Sequence, residues 1–272
     1  MTTKKETIGI LDSGVGGLTV AREVMRQLPR ERIVYFGDTV NCPYGPRSAD
    51  EVRQFTFDIV RFLQTFSLKA LVIACNTATA VALEEAKRWL TVPVFGVIHP
   101  GARAAIKATN SGRIGVIGTE GTIKSGAYAR ALTQINADLH VVSHACPTLV
   151  PLVESGQAEA PETLPYVEAA LKPLKGIALD TLILGCTHYP LLHKHISHVM
   201  GNGVQLISSA EEVARELSAV LHHQELLAPP LSAHNGEHQF FTSGAPQLFR
   251  KIAKKALGLD ISVQSVQLKQ AQ

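Results

Sequence analysis

Two cysteines in this chain close similar phrases. Cys75 ends the apolar run in Leu71-Val-Ile-Ala-Cys75-Asn-Thr77, and Cys186 ends the run in Leu182-Ile-Leu-Gly-Cys186-Thr-His188. Each thiol follows a stretch with the character of a strand covered on both faces, and polar residues follow each. Matched thiols suit the inversion of a stereocentre by proton transfer. One thiolate takes the proton from one face of a carbon, and the opposing thiol returns a proton to the other. The reverse reaction exchanges their roles. A free thiol has a pKa of about 8.5, and a helix N-terminus lowers it. The N–H groups of such a terminus also suit a carboxylate. A carbanion beside a carboxylate places charge on its oxygens, where preorganised donors count most. Cys42, before Pro43, and Cys146, before Pro147, lack this matched setting and read as non-catalytic.

The elements that must carry these thiols alternate between β-branched runs and helical patterns. Strands are expected at 8–11, 33–36, 71–74 and 94–98, and again at 114–117, 139–142, 182–185 and 204–207. The two sets are offset by 106 to 111 residues, and Ile8-Gly-Ile-Leu-Asp-Ser13 resembles Ile114-Gly-Val-Ile-Gly-Thr119. Helices are expected at 77–90 and 189–200. Two more begin at capping-box patterns, Ser48-Ala-Asp-Glu51 and Ser209-Ala-Glu-Glu212. The reading is two related α/β halves with parallel sheets. Cys75 and Cys186 lie at equivalent carboxyl ends of strands, the edge where open α/β sheets bind ligands.

Other chemistries fit less well. Asp12-Ser-Gly-Val-Gly-Gly17 follows the first strand, but the third glycine of a dinucleotide fingerprint falls on Thr19, and no lysine stands in P-loop position. The turn reads either as a close approach bringing Asp12 and Ser13 to a cleft or as a tight turn capped by Asp12. The 272 residues are 46% hydrophobic and 18% charged with a net charge of +3, which suits a globular protein. The densest basic cluster, Lys251, Lys254 and Lys255, reads as a solvated helix face, so no nucleic-acid partner is expected. No membrane span or signal peptide is expected, and four cysteines make no disulfide framework, which points to the cytoplasm. Eleven histidines form no metal motif; His193 and His195 point apart on one helix, while His222, His223 and His234 read as surface residues.

Five motifs in order give a specific resemblance: Ile10-Leu-Asp12-Ser13-Gly-Val-Gly-Gly17-Leu, Phe36-Gly-Asp38-Thr, Pro43-Tyr44-Gly45, Ala74-Cys75-Asn76-Thr77 and Gly185-Cys186-Thr187-His188-Tyr-Pro190. Together they resemble bacterial glutamate racemase. The likeness runs from about Ile8 to Leu221 and continues through Phe240-Phe-Thr-Ser-Gly244 and Phe249. It implies interconversion of L- and D-glutamate without pyridoxal phosphate, metal or nucleotide, with the D-glutamate feeding peptidoglycan synthesis. It implies Cys75 and Cys186 as the acid/base pair, with Asp12, Glu154 and His188 tuning them. It implies substrate contacts from Asp12, Ser13, Tyr44, Gly45, Asn76, Thr77, Thr119, Thr122, Thr187 and His188. The implied fold is two pseudo-symmetric, doubly wound, Rossmann- or flavodoxin-like domains around a central cleft, usually in a homodimer. Residues 1–98 and 208–272 form the first domain and 99–207 the second, with 226–238 a surface connection and 261–268 an edge strand. A relative acting on aspartate, a hydantoin or maleate, or a non-catalytic binding protein on the same fold, are the competing readings.

Overall fold

The computed structural model describes residues 6–229 and 238–268. The first half runs β1 (Thr7–Asp12), α1 (Leu18–Gln27), β2 (Ile33–Gly37), α2 (Ala49–Leu63), β3 (Leu68–Ile73), α3 (Asn76–Trp89), β4 (Val94–Gly96) and α4 (Ile98–Ala108). The second runs β5 (Arg113–Gly118), α5 (Glu120–Lys124), α6 (Ala127–Ile135), β6 (His140–Ala145), α7 (Leu149–Glu154), α8 (Leu164–Leu171), β7 (Thr181–Gly185), α9 (His193–Met200) and β8 (Gln205–Ile207). The chain ends with α10 (Ala210–His223), β9 (Gln239–Thr242), α11 (Pro246–Leu257) and β10 (Val263–Ser265).

All strand pairings are parallel, in two sheets ordered β10-β9-β2-β1-β3-β4 and β6-β5-β7-β8. Without β9 and β10 the sheets have the same order, so the offset in the sequence is also a repeat in topology. β1, β2 and β7 are buried along their whole length, as strands covered by helices on both faces must be. In register, Asp12 meets Gly37, Leu11 meets Ile73, and Gly118 meets Gly185. The residues just beyond these, including both cysteines, therefore lie at the carboxyl edges of their sheets.

Local chemistry explains the boundaries. Ser48 caps α2 with the full reciprocal box: its hydroxyl accepts from Glu51 N at 3.2 Å and the Glu51 carboxylate accepts from Ser48 N at 2.9 Å. The similar pattern at Ser209 does not close. Ser209 has helical backbone angles and makes no cap bond; its hydroxyl lies 3.1 Å from that of Tyr128 instead. β4 stops at Gly96 and Ile98 already belongs to α4, so the expected strand over 94–98 is short. The helix expected over 189–200 opens as a 3-10 turn, Tyr189–Leu192, with Pro190 in its first turn, before α9 begins at His193. The edge strand expected over 261–268 is the three-residue β10. Of the connection 226–238, residues 230–237, His234 among them, lie outside the described residues. No described helix is long and apolar enough to cross a membrane.

A buried ion pair anchors the chain after α10 at the amino-terminal edge of the first sheet. Lys69 Nζ lies 2.5 Å from Glu31 Oε2, both side chains buried. The ammonium also donates to Leu226 O at 2.7 Å, and the carboxylate accepts from Ala228 N at 2.8 Å. Removing one member leaves the other buried and uncompensated. Lys69→Met is expected to cost about 3–5 kcal/mol in urea denaturation, and the double replacement Lys69→Met/Glu31→Leu to recover most of it. Equal stabilities of the single and double variants contradict this account.

Candidate active site

The two sheet edges face each other across one enclosed cavity lined by Ser13, Pro43, Tyr44, Cys75, Asn76, Thr77, Thr119, Val150, Cys186, Thr187 and His188. Both thiols are nearly buried, at 5% and 6% exposure, yet both reach this space. Cys75 is the N-cap of α3, directly after β3. Cys186 directly follows β7. Of the residues expected in the site, Asp12, Gly45 and Thr122 stand behind the lining, and Glu154 reaches it through His188. Pro43, quoted only as part of a motif, and Val150, which carries no motif signal, also line it.

The Asp12 carboxylate shapes the glycine turn. Its Oδ2 accepts from Gly14 N at 3.1 Å and Gly17 N at 2.9 Å. Asp12 therefore caps the turn, and of the two residues expected at the cleft Ser13 reaches the cavity while Asp12 stands behind it. A Cβ on Gly17 would lie 2.4 Å from Asp12 Cβ, and one on Gly16 would lie 2.8 Å from His188 N, so the close approach needs glycine. From the other half, Thr187 Oγ1 donates to Asp12 Oδ1 at 3.1 Å.

The thiols have different neighbours. Burial and the Asp12 carboxylate push Cys75 up to about 12, against hydrogen bonds from Ala78 N–H and the Ser13 hydroxyl. Cys186 Sγ lies 3.6 Å from His188 Nδ1, and His188 Nε2 lies 2.6 Å from Glu154 Oε1. Burial opposes a charge on His188, but hydrogen bonds with Cys186, Cys42 and Glu154 outweigh it and hold the imidazole well above its ordinary range. Burial likewise opposes charge on Glu154, but the His188 hydrogen bond and charge, Val15 N–H and the Cys42 thiol hold it below the usual carboxylate range. Cys186 is thus joined to an imidazole and a carboxylate in series, while Cys75 sits at a helix start beside a carboxylate.

Hydroxyl groups from both halves meet at the cavity wall. Thr77 Oγ1 lies 2.8 Å from Thr119 Oγ1 and 3.2 Å from Thr122 Oγ1, and the latter two are 3.0 Å apart. Thr119 also caps α5 through Thr122 N. Two further groups orient the lining. Tyr128 donates to Asn76 Oδ1 at 2.7 Å, turning the amide N–H₂ of Asn76 away from that bond, and Asp38 accepts from Tyr44 at 2.7 Å. Tyr128 carries no motif signal. Asp38 lies in a quoted motif, but only the fold shows that it holds Tyr44. Among the described residues, the sole His/Cys/Asp/Glu group close enough to share a metal ion is Cys42, Glu154 and His188.

Burial pushes Asp12 up to about 6, against the His188 charge and the hydrogen bonds from Gly14, Gly17 and Thr187. Its proton is held more tightly in the folded chain than in the unfolded one. The resulting contribution to stability is full below the ordinary carboxylate value of about 4 and is lost as pH rises through about 6. Carboxyl ¹³C titration is expected to place Asp12 near 6, and Asp12→Asn to flatten the stability profile between pH 4 and 6. A midpoint at the ordinary value refutes this.

The chain resembles known proteins over nearly its whole length. Residues 8–217 match the family model described as Asp/Glu/Hydantoin racemase. A glutamate racemase of Bacillus cereus is 55% identical over 254 residues, 93% of this chain and 94% of that protein. The crystal structure of a glutamate racemase from Bacillus anthracis superposes with a TM-score of 0.92 at 54% identity, covering 97% of this chain and 98% of that one. One from Francisella tularensis, in complex with D-glutamate, gives 0.88 at 31% identity, covering 97% and 98%. The chain belongs to the Asp/Glu/hydantoin racemase family and is an amino-acid racemase, an isomerase.

Proposed function

We propose that this racemase interconverts L- and D-glutamate by proton transfer between Cys75 and Cys186, with no organic cofactor. The observation that carries the reading is that two thiols from equivalent strand ends share one enclosed cavity with the hydroxyls and amide of Asn76, Thr77, Thr119 and Thr187. The relatives named glutamate racemase, and the D-glutamate complex among them, favour glutamate over aspartate, hydantoins or maleate. Intact thiols at both strand ends favour catalysis over mere binding.

In this mechanism the threonine hydroxyls turn from one another toward the α-carboxylate, with Thr119 and Thr122 holding the oxygens on which carbanion charge develops. Ser13, Tyr44, Gly45 and Asn76 hold the rest of the substrate. In one direction Cys186, with its proton passed toward His188, removes the α-proton, and the Cys75 thiol returns one to the opposite face. In the other direction Cys75 is the base. The α-ammonium then supplies the positive charge that its surroundings lack, offsetting Asp12. Glu154 holds the imidazole in place.

The cavity measures about 10 Å³, room for roughly one water. Binding of a whole amino acid therefore requires the two sheets to part. The contacts that must yield include Gly121 N to Gly45 O at 2.9 Å and Thr77 to Thr119. The moving bodies in this proposal are residues 1–98 with 208–272, and residues 99–207. The proposal extends to a cytoplasmic homodimer that supplies D-glutamate for peptidoglycan.

Incubation of the purified chain with L-glutamate in deuterium oxide, without added cofactor, tests the reading. The α-proton signal and the optical rotation are expected to decay together. Cys75→Ala and Cys186→Ala are each expected to lower racemisation by at least about 10²-fold. Serine at either position is expected to retain a one-sided elimination from a glutamate analogue with a good β-leaving group. Wild-type rates in either alanine variant reject the two-thiol mechanism, and activity on aspartate but not glutamate rejects the substrate.

A further inference from the structure

On the far side of His188 from Cys186, three unlike donors converge. Cys42 Sγ lies 3.8 Å from Glu154 Oε1, and that oxygen lies 2.6 Å from His188 Nε2. All three donor atoms fall within 4.8 Å of one another. They come from separate elements: the loop after β2, the end of α7, and the turn after β7. A second cavity, of about 420 Å³, opens onto Cys42 and Glu154 between α7 and α11, with Val150, Leu248, Phe249 and Ile252 among its walls. Cys42 and Glu154 line this cavity and His188 lines the one that holds the two thiols, so the three donors stand in the wall between the two cavities.

We propose that Cys42, Glu154 and His188 form an inhibitory site for a thiophilic divalent cation of the zinc class. A four-coordinate zinc ion holds sulfur at about 2.3 Å and nitrogen or oxygen at about 2.0–2.2 Å, which sets neighbouring donors roughly 3.3–3.7 Å apart. The sulfur and oxygen, 3.8 Å apart, must close slightly to reach that spacing, the imidazole and carboxylate must separate by under about 1 Å, and the sulfur must take the same spacing from the imidazole nitrogen, which lies within 4.8 Å of it. Binding breaks the Cys42 S–H bond and removes the proton shared between His188 and Glu154; both protons pass to water. The thiolate and carboxylate then neutralise the dication, with a neutral imidazole as third ligand and the cavity side left for water. This donor set favours zinc or cobalt over magnesium or calcium, which take oxygen ligands.

The cation would occupy Nε2 and leave Nδ1 as an N–H directed at Cys186. His188 could then neither accept a proton from that thiol nor exchange one with Glu154. This inhibitory consequence rests on the two-thiol reading above; the binding itself does not.

The test is titration of the reduced full-length chain with Co²⁺. The expected result is a near-ultraviolet thiolate-to-cobalt band and four-coordinate visible bands at one ion per chain, displaced by Zn²⁺ and not by Mg²⁺. The bands should vanish in Cys42→Ala and persist in Cys75→Ala. Absence of bands in the parent, their survival in Cys42→Ala, or their loss in Cys75→Ala overturns the site. If Cys42→Ala loses its native circular dichroism, Glu154→Gln is the second variant. It should weaken Co²⁺ by about tenfold or more, and unchanged affinity overturns the site. With binding established, Zn²⁺ should slow α-hydrogen exchange in the parent and spare Cys42→Ala. Equal inhibition of both places the inhibitory ion elsewhere and overturns the proposal, whereas no exchange from glutamate in the metal-free parent tells against the glutamate and two-thiol reading alone.

Discussion

The carboxylate of Asp12 joins the two halves of the molecule behind the thiols. It is fully buried, a costly place for a charge, and it is held there by N–H groups of its own turn and by a hydroxyl from the opposite half. The same three bonds fix where Ser13 points, how closely the glycine turn approaches His188, and where Thr187 stands beside Cys186. Moving this one side chain would release the position of both sulfur environments at once. The glycines around it follow from the same constraint, since a side chain at Gly17 would displace the carboxylate.

The cleft is closed by contacts that a substrate can replace. Hydroxyl meets hydroxyl at Thr77, Thr119 and Thr122, and a hydroxyl can turn to a new partner without moving its backbone. The apolar packing is less readily exchanged: one core cluster contains Ile10 and Val72 of the first sheet together with Ile117 and Leu184 of the second, and it reaches Val150 and Cys186 at the cavity wall. In the proposed reaction, a polar seam of this kind suits a site that must exclude water during reaction and admit a polar molecule before it.

Much of this was legible in the sequence because periodicity and offset are local signals. The matched runs before Cys75 and Cys186 placed both thiols at sheet edges, and the Ser48 box marked α2 correctly. The failures share a cause: partners distant in the chain. Ser209 has the residues of a capping box, but Tyr128 claims its hydroxyl. The apolar run at 94–98 reads as a strand until Ile98 is taken up by α4, the helix that closes the first half. Nothing around Cys42 in the sequence shows that Glu154 and His188 will arrive beside it. Spacing motifs register ligands on one element, and these three lie on three.

The unequal surroundings of the two sulfurs have a thermodynamic consequence. The enantiomers of an amino acid with one stereocentre have the same free energy in water, so the ratio of kcat/KM for the two hands must be unity in any protein. An imidazole beside one sulfur and a carboxylate beside the other cannot shift that balance. What the asymmetry can do is set how tightly each hand is held before it reacts. The hand that binds more tightly must turn over more slowly by the same factor.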